Sequence, residues 1–570
     1  MIDILNSTQP VSNMKQANDK KYLKDLFYIL IILLVCFKLT YKITHVVDIM
    51  FADESLYLEM GYGFKWDYFF RDGFIYFIWL KMLSIFIPDM VLLYCWNYAI
   101  LISLNPVLMY ILARKMGKEH FISALFSIFF LVSAFNVFTW PFITRFAVSI
   151  ILLTLISIVS VKKNKTKYLT ALFGLVLLLY VRPEFALSLI MFTAAAVIFL
   201  VYKGYRTRYR TYAYLLVITL AVTIFVLFFK SPVNRLRSVM AFGQHYGVHL
   251  QKSGNIKINP WTNWRSIMKG KFKTDRSITG AFINNPTEMK KHIFRNIKYF
   301  PSEFFYQMFP YNSSRFGTLT KQIIKLLIIL LFLVSLINFL KPIIIHLRNK
   351  NRNLFDSYSD NDKFFYFISI LVVIPLTGGI FVIYPRTHYM FVLFALICLA
   401  AVKSFPKLFQ LPKYDPIVKK ITIVLVLFFL PWKVSMSSGL LPGKPINACS
   451  YLKRVTAVRK IEVQGNIHFL GMVFKEKFNR KYFRMYLENN SHYRYELHRV
   501  KEDVSFSGFI KEKKINMIFV NKALLKRTRL LLTAGDDFPA FIARVTGCNW
   551  TWFEIPACKE YILVKTDIIK

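Results

Sequence analysis

The sequence predicts an α-helical polytopic membrane protein with a small α/β domain at its C-terminal end. Of its 570 residues, 55% are hydrophobic and 17% are aromatic, and the mean hydropathy is +0.42. A single water-soluble core cannot bury so large an apolar fraction. The apolar residues fall in long runs separated by short basic segments, which is typical of a chain that crosses a bilayer many times.

The spans follow from a length criterion, because a helix needs about 20 apolar residues to cross about 30 Å of hydrocarbon. A polar tail, residues 1–25, comes first, and the apolar run after it has no cleavage site, so we expect a retained first span. About eleven spans are predicted, which places the chain ends on opposite faces. They are 26–43, 91–112, 121–139, 146–161, 168–181, 185–202, 212–229, 323–340, 364–384, 389–402 and 421–434.

Basic residues give the orientation. The net charge is +44, from 75 Lys and Arg against 31 Asp and Glu. Most of these cations lie in alternate connections, such as 114–118, 162–167 and 203–210, while the other short connections are nearly free of them. This pattern indicates a cytoplasmic N-terminus and an extracytoplasmic C-terminus in a plasma or bacterial inner membrane. Because no recognised nucleic-acid-binding motif accompanies the charge, nucleic acid is not an expected partner.

Three regions are predicted on the outer side. Within the transmembrane region, 26–434, they are the loops 45–90 and 230–321, and the third is the C-terminal region, 435–570. Segment 73–90 is apolar but interrupted by charge, which favours an interfacial helix. In the C-terminal region, strand-like runs at 468–474, 516–520 and 561–564 alternate with helix-like runs at 477–488 and 522–532, which predicts an α/β domain.

Three of the six cysteines lie in this C-terminal region: Cys449, Cys548 and Cys558. In an oxidising compartment Cys548 and Cys558 are close enough in sequence to close a small loop. Cys449 is an equally good partner for either, so the pairing stays open.

An acidic motif follows the first span: Asp53, Glu54, Tyr57 and Glu59. One interpretation is structural, with Asp53 capping a helix and Glu54 favoured by the helix dipole. The other is catalytic, because a carboxylate at this boundary can act as general base for an acceptor arriving from outside. The two interpretations are compatible, since a cap also fixes a catalytic group.

Three arginines stand at the outer ends of predicted spans, where cations are disfavoured. They are Arg145, Arg182 and Arg386. Arg182 belongs to an Arg-Pro-Glu sequence between two spans, and its alternative role is a local pair with Glu184. A guanidinium is suited to the fork of a phosphate or pyrophosphate. A shared anionic ligand is therefore the functional hypothesis for these residues.

A histidine pair with helical spacing, His245 and His249, lies in the long outer loop. Two such side chains could bind a metal ion, but no Glu follows His245 in the zinc-protease pattern and no third ligand is evident. We therefore predict no metal site, and we interpret His245 as a substrate contact or a surface residue.

Taken together, the motif Asp53-Glu54-x-x-Tyr57-x-Glu59 resembles the first outer loop of the GT-C membrane glycosyltransferases. The protein O-mannosyltransferases and lipid A aminoarabinose transferases are the most similar by this motif. Arg182-Pro183-Glu184 is similar to an Arg-Pro element of their bacterial relatives, and Arg386 with Tyr389 is similar to a late turn before a final helix pair. The resemblance covers the layout of the membrane region, but only these three motifs in residues.

The resemblance implies transfer of a sugar from a polyprenyl-phosphate donor to an outer-face glycan, lipid or protein acceptor. Asp53 would be the base, assisted by Glu54, and Arg182 and Arg386 would hold the donor phosphate. Arg145, Tyr57, His245 and Tyr389 complete the expected substrate-binding set. The reaction would be an inverting single displacement without a cofactor, and no Gly-rich nucleotide-binding loop is present.

One departure concerns the turn at 136–141, where members often carry a second acidic residue. Here the turn has no carboxylate, which leaves a divalent metal possible but unsupported. Three other functions remain open, one of them a structural scaffold in an envelope complex with the outer domain as binding module. An O-antigen ligase or polymerase would use His245 with Arg235 and Arg237, without needing the acidic motif. A lipid or polysaccharide transporter is disfavoured by sparse charge inside the spans.

Overall fold

A computed structural model describes most of the helical region and the core of the C-terminal sheet. The described residues are 11–41, 43, 52–308 with gaps at 140, 208–209, 230–234, 257, 259 and 262, then 360–404, and the strands with adjoining short segments between 460 and 569. The fold is mostly helical with one small sheet, as the sequence predicts. Two of the predicted spans, 323–340 and 421–434, lie outside the described residues.

Helices make up most of the described part of the chain ahead of the sheet, and their ends follow local rules. The Ser133 hydroxyl accepts the N–H of Asn136 at 3.2 Å and so caps a short helix. Pro183 begins the 3₁₀ turn Pro183–Phe185, which leads directly into the helix Ala186–Thr207. The helices are α1 Val11–Thr40, α2 Ala52–Tyr62, α3 Phe74–Phe86, α4 Met90–Lys115, α5 His120–Val132, α6 Ala134–Phe138, α7 Ile143–Ser160, α8 Asn164–Val181, α9 Ala186–Thr207, α10 Arg210–Ile224, α11 Arg235–Lys252, α12 Trp264–Phe272, α13 Ile278–Asn284, α14 Pro286–Met308, α15 Asp360–Gly378 and α16 Thr387–Ser404.

Three helical segments in the described part are long and apolar enough to cross a bilayer: Leu92–Lys115, Ile143–Ser160 and Asn361–Ile383. Eleven such spans are not seen. Several predicted spans are shorter helices because the chain breaks early, for example where α5 ends at Val132. The shorter apolar helices are Phe74–Phe86, His120–Val132, Pro183–Phe199, Ala213–Phe228 and Thr387–Lys403.

Helix α1 begins at Val11, inside the predicted polar tail, so most of the predicted span 26–43 forms the second half of a longer helix. Its Asp25 carboxylate accepts hydrogen bonds from Arg114 Nε and from the Tyr110 hydroxyl, both at 2.7 Å. The same oxygen lies 2.9 Å from His120 Nδ1. These contacts fasten α1 to α4 and α5.

The C-terminal sheet has six strands in the order β3-β2-β1-β4-β6-β5. Only the β1–β4 pair is parallel, and the other neighbours are antiparallel. Strand β3 lies against helices α2 and α4, so the sheet meets the helical region beside the acidic motif. The strands are β1 Ile467–Val473, β2 Tyr482–Asn489, β3 His492–Arg499, β4 Met517–Val520, β5 Trp550–Ile555 and β6 Glu560–Lys565.

The predicted strands at 468–474, 516–520 and 561–564 are confirmed as β1, β4 and β6. The prediction of a helix at 477–488 is wrong, because β2 occupies most of that segment. Strand β2 is rich in aromatic residues and pairs along its length with both β1 and β3. Pairing on both edges outweighs the helical spacing of its apolar residues. The predicted helix at 522–532 lies outside the described residues.

Helices α11 to α14 form a compact unit within the predicted outer loop 230–321. Its core joins Phe242 and Tyr246 of α11 to Trp264 and Phe272 of α12, all of them buried. The second half of α14 leaves this unit and packs on the apolar helices, where the Phe304 ring centroid lies 5.2 Å from that of Phe135. The loop unit therefore packs against the apolar helices through α14.

Candidate functional site

Helix α2 presents the acidic motif at the centre of the site. Asp53 lies in its first turn, and Tyr57 follows one turn later. Near the end of α2, Gly61 approaches α3 so closely that a Cβ at this position would lie 2.4 Å from Leu80 Cβ. A glycine at this contact lets the two helices pack without a clash.

The Glu54 side chain is buried, with 2% of its surface exposed. Its Oε1 accepts the backbone N–H of Phe142 at 2.6 Å. Phe142 is the residue immediately before α7, so the carboxylate satisfies an amide at a positive helix end. The turn at 136–141 contains no acidic residue. The Glu54 carboxylate of α2 nevertheless contacts Phe142, the residue that follows this turn.

Arg145 is fully buried in the first turn of α7. Its Nε and Nη2 donate to the carbonyl oxygens of Asn136 and Val137 at 2.8 and 2.7 Å. The guanidinium carbon lies 4.8 Å from the centroid of the Tyr98 ring. It also interacts electrostatically with Glu54. These contacts hold the turn before α7, so Arg145 lies behind the site rather than in it.

Tyr57 connects α2 to the outer-loop unit. Its hydroxyl accepts a hydrogen bond from Arg237 Nη2 at 3.2 Å, and Arg237 also forms an ion pair with Asp72. Arg237 belongs to α11, whereas Asp72 precedes α3. One guanidinium therefore joins the loop unit to both the acidic helix and the segment after it.

Arg182 lies at the opposite wall of the site, at the end of α8. It forms an ion pair with Glu184, two residues along the chain, and donates to Thr144 Oγ1. Its guanidinium carbon lies 5.5 Å from the centroid of the Tyr389 ring. The local pair with Glu184 expected from the sequence is thus present, and it does not prevent contact with Tyr389.

Arg386 lies in the turn between α15 and α16, and Tyr389 lies in the first turn of α16. The Arg386 guanidinium carbon lies 5.8 Å from the Trp261 ring centroid. The Tyr389 side chain interacts electrostatically with Glu184 and with all three of Arg182, Arg237 and Arg386. The neighbouring His388 interacts with the same three arginines and with His245. The charges of three arginines from three separate elements therefore act on one segment, the turn before α16 and the first turn of that helix.

The histidines of the outer loop lie beneath this turn. The His245 ring stacks on Tyr384 at a centroid distance of 4.9 Å. His249 lies edge-on to Tyr384 at 5.2 Å, and His292 lies within 3.2 Å of the carbonyl oxygens of Val382 and Ile383. Buried nitrogens without hydrogen-bond partners are present on His245, His249 and His292.

Burial keeps these imidazoles neutral. Desolvation, reinforced by the nearby charge of Arg386, lowers the pKa of His245 to about 2. Desolvation also lowers the pKa of His249 and of His292 to about 4. His245 can contact a substrate as a neutral hydrogen-bonding group, but a pKa so low makes it a poor general base near neutral pH.

Metal-ligating residues do not converge in the described part of the chain, where no group of three His, Cys, Asp or Glu side chains is placed to hold a metal ion. Cys548 is present as a thiol. Cys449 and Cys558 lie outside the described residues.

Five of the predicted residues come together at one place: Tyr57, Arg182, Arg386 and Tyr389 directly, and His245 through Tyr384 and Arg386. Asp53 lies in the first turn of α2, one turn before Tyr57. Glu54 accepts the amide N–H of Phe142 at the start of α7, and Arg145 lies in the first turn of that helix. Arg237, Asp72 and His388 join this group without having been predicted in it. His388 lies between Arg386 and Tyr389 in the sequence, so its place in the site could have been predicted from its neighbours. No sequence feature marks Asp72 as a site residue.

Comparison with protein-family models, curated proteins and solved structures finds no match for this chain. The geometry of the site is therefore the basis for its function.

Proposed function

We propose that this protein transfers a sugar from a polyprenyl-phosphate donor to an acceptor at the outer face of the membrane. The observation that carries the proposal is that Arg237 donates to Tyr57, one helical turn after Asp53, while Arg182, Arg237 and Arg386 all interact electrostatically with His388. A carboxylate base and several guanidinium groups are side chains that a displacement at a sugar phosphate would use. The apolar helices around it suit a donor whose carrier lies in lipid.

The donor phosphate is assigned to the three arginines. A guanidinium offers planar N–H groups that match phosphate oxygens, and it stays charged at any ordinary pH. The arginines come from α8, α11 and the turn before α16, so they can approach one anion from different directions. Their charge would stabilise the phosphate as it leaves with the bonding electron pair.

Asp53 is assigned as general base. The acceptor oxygen attacks the anomeric carbon while Asp53 takes its proton, and the bond from that carbon to the phosphate oxygen breaks. This is a single displacement, so the configuration at the anomeric carbon inverts. Glu54, expected to assist directly, is instead given a positioning role, because its carboxylate is engaged with the Phe142 amide.

An O-antigen ligase or polymerase is the second candidate, favoured by the place of Arg237 in the site. That function would assign chemistry to His245. The lowered pKa of His245 counts against a proton-accepting histidine, and this class has no need of the acidic helix that Arg237 contacts. Sugar transfer with Asp53 as base therefore accounts for more of the site.

The test is transfer of radiolabelled sugar from membrane-borne polyprenyl-phosphate donors by the purified full-length protein. Asp53→Asn is expected to lower the rate at least a hundredfold, which is the smallest usual contribution of general base catalysis. Glu59→Gln is the matched control, since Glu59 is an exposed acid on the same helix. It should transfer at the wild-type rate.

Equal transfer by wild type and a folded Asp53→Asn variant would remove Asp53 from the mechanism while keeping the enzyme class. Absence of transfer from every donor tested would reject the class itself. Loss of activity in Glu59→Gln as well would point to a general electrostatic effect of α2 rather than to one base.

A further inference from the structure

We propose that the outward face of α13 and α14 rests on the membrane surface, at the end of the bundle that carries the candidate site, and binds anionic phospholipid headgroups there. This surface, called here the α13–α14 face, consists of Phe282, Ile283, Lys290, Lys291, Phe294, Ile297, Lys298, Phe305 and Tyr306. The inference is independent of the proposed function.

The two sides of α14 differ sharply. On one side Met289, His292 and Asn296 are buried, and Asn296 Nδ2 donates to the Phe381 carbonyl at 2.8 Å. On the other side Phe294 is 69% exposed and Ile297 is 45% exposed. The buried side fixes the rotation of the helix, so the apolar residues of the other side point away from the protein.

Helix α13 extends the same kind of surface. Helix α13 immediately precedes α14. In it, Ile283 is 71% exposed and Phe282 is 43% exposed. Farther along α14, Tyr306 is 69% exposed and Phe305 is 39% exposed. Large apolar side chains clustered in this way on an outer loop indicate a contact with another apolar phase.

The position of α14 identifies that phase. Phe304 packs against Phe394 of α16 at a centroid distance of 6.2 Å, and Phe300 packs against Phe381 at 5.5 Å. Phe381 lies in the apolar segment Asn361–Ile383, which is long enough to span a bilayer. Phe381 lies near the end of that segment, whereas Phe394 lies about two turns inside α16. The second half of α14 therefore runs past the ends of the apolar helices, and its first half lies near the headgroups, where amphipathic helices bind.

The lysines of the α13–α14 face favour lipids with anionic headgroups. Lys290, Lys291 and Lys298 are exposed on α14 next to its apolar residues. Lys291 has one weak ion pair, with Glu288 at 3.8 Å, and remains 66% exposed. Long lysine side chains can place their ammonium groups at the headgroup level while their methylene groups cover apolar surface. Such cations attract anionic headgroups.

A photocrosslinking experiment tests the apolar part. The full-length protein carrying Phe294→p-benzoyl-phenylalanine is placed in nanodiscs made of equal parts of phosphatidylcholine and phosphatidylglycerol, irradiated and examined by mass spectrometry. We expect lipid adducts several-fold above those of the control Ser266→p-benzoyl-phenylalanine, which replaces an exposed polar residue of α12. Lipid yield equal to the control, or crosslinks to a second copy of the chain, would overturn the proposal.

A second comparison tests the charged part. Anionic lipid should be enriched several-fold over phosphatidylcholine in the Phe294 adducts, and the triple change Lys290→Gln, Lys291→Gln and Lys298→Gln should abolish that enrichment. The matched control changes three exposed lysines elsewhere in the protein, Lys162, Lys163 and Lys165, to glutamine. It should leave the enrichment intact. No enrichment in the unaltered sequence, or the same loss in both triple variants, would reject headgroup recognition by this face.

Discussion

At the residue scale, Glu54 and Asp53 are adjacent acids with separate tasks. Glu54 is buried and accepts the amide N–H of Phe142, near the buried guanidinium of Arg145. A carboxylate held in this way joins the start of α2 to the start of α7. Because Thr144 in the same first turn of α7 accepts a hydrogen bond from Arg182, Glu54 also helps to define the position of Arg182, the proposed phosphate ligand.

The first prediction follows from this contact. Glu54→Gln keeps an oxygen for the Phe142 amide but removes the charge that faces Arg145. We expect the free energy of unfolding to fall by roughly 1–3 kcal/mol, the usual cost of weakening a buried charged hydrogen bond. Sugar transfer should fall in parallel. Chemical denaturation in detergent measures the first quantity and the radiolabel assay the second.

Asp53→Asn provides the contrast, since it should lower transfer with little change in the free energy of unfolding. If Glu54→Gln proved as stable as wild type and yet inactive, Glu54 would be a catalytic group, as the acidic motif alone suggested. The pair of variants thus distinguishes positioning from chemistry.

Residue types at the site could be predicted from the sequence, but burial could not. Arg182, Arg386 and Tyr389 are marked by their place at the ends of apolar runs, and the structure brings them together. Arg145 has the same sequence context as Arg182, yet it is fully buried on two carbonyl oxygens. The difference depends on how α7 packs against α4, which no local pattern records.

At the scale of elements, the placement of α2 depends on its contact with α3. Gly61 lies where any side chain would meet Leu80. The sequence shows a glycine within a helix, which by itself lowers helix stability. The structure gives the compensating reason, since close helix packing holds the acidic motif against the rest of the site.

The second prediction tests that contact. Gly61→Ala places a methyl group 2.4 Å from Leu80 Cβ unless the helices separate. We expect destabilisation of about 1–3 kcal/mol, as for other overpacked sites, with a larger proportional loss of transfer than of folded protein. Thermal unfolding and the transfer assay provide the two readings.

Gly270→Ala serves as the comparison. Gly270 lies within α12, and no atom lies within 4 Å of the position its Cβ would take. Alanine there should leave activity unchanged and raise stability by up to about 1 kcal/mol. Equal effects at both glycines would refute the packing argument.

Elements were predictable where one local pattern dominates. Strands β1, β4 and β6 were anticipated from short apolar runs, whereas β2 was predicted as a helix. Strand β2 is antiparallel to neighbours on both sides, and those hydrogen bonds come from outside the segment. Span lengths were harder to predict for a related reason, because runs of apolar residues do not reveal where a helix breaks.

At the scale of the whole molecule, three neutral histidines lie where the outer-loop unit meets the turn before α16. His292 contacts the carbonyl oxygens of Val382 and Ile383, while His245 and His249 pack on Tyr384. Arg386, Arg295 and Lys252 are the nearby cations that oppose protonation. The loop unit is therefore attached by groups that must stay uncharged.

The third prediction concerns acid. Each of these histidines has a lowered pKa in the folded protein, about 2 for His245 and about 4 for His249 and His292, against 6.5 in an ordinary setting. The unfolded chain therefore binds more protons below pH 6.5, so stability is complete above that value and decreases toward pH 4. Thermal unfolding measured between pH 8 and pH 4 should show this decrease.

His292→Gln, which keeps a donor for the two carbonyl groups, should flatten the decrease and lower stability at pH 8. An unchanged pH profile in this variant would show that His292 titrates alike in the folded and unfolded states. Changes confined to the loop unit would appear as proteolytic cleavage in α11 to α14 before global unfolding.

The general class of the molecule was accessible from composition, whereas its assembly was not. Apolar content and run length predict a helical membrane protein, and three long apolar segments agree with this. The meeting of α11 with α2 through Arg237 depends on contacts between residues 180 positions apart. Such long-range contacts form only when the helices pack together, so no local sequence pattern predicts them.

The contact of β3 with α2 and α4 has a consequence for biosynthesis. Helix α2 emerges early from the ribosome, while β3 belongs to a sheet made near the other end of the sequence. The surroundings of the acidic helix are thus incomplete until the final part of translation. A chain arrested midway would already contain α2 but not the strand that packs against it.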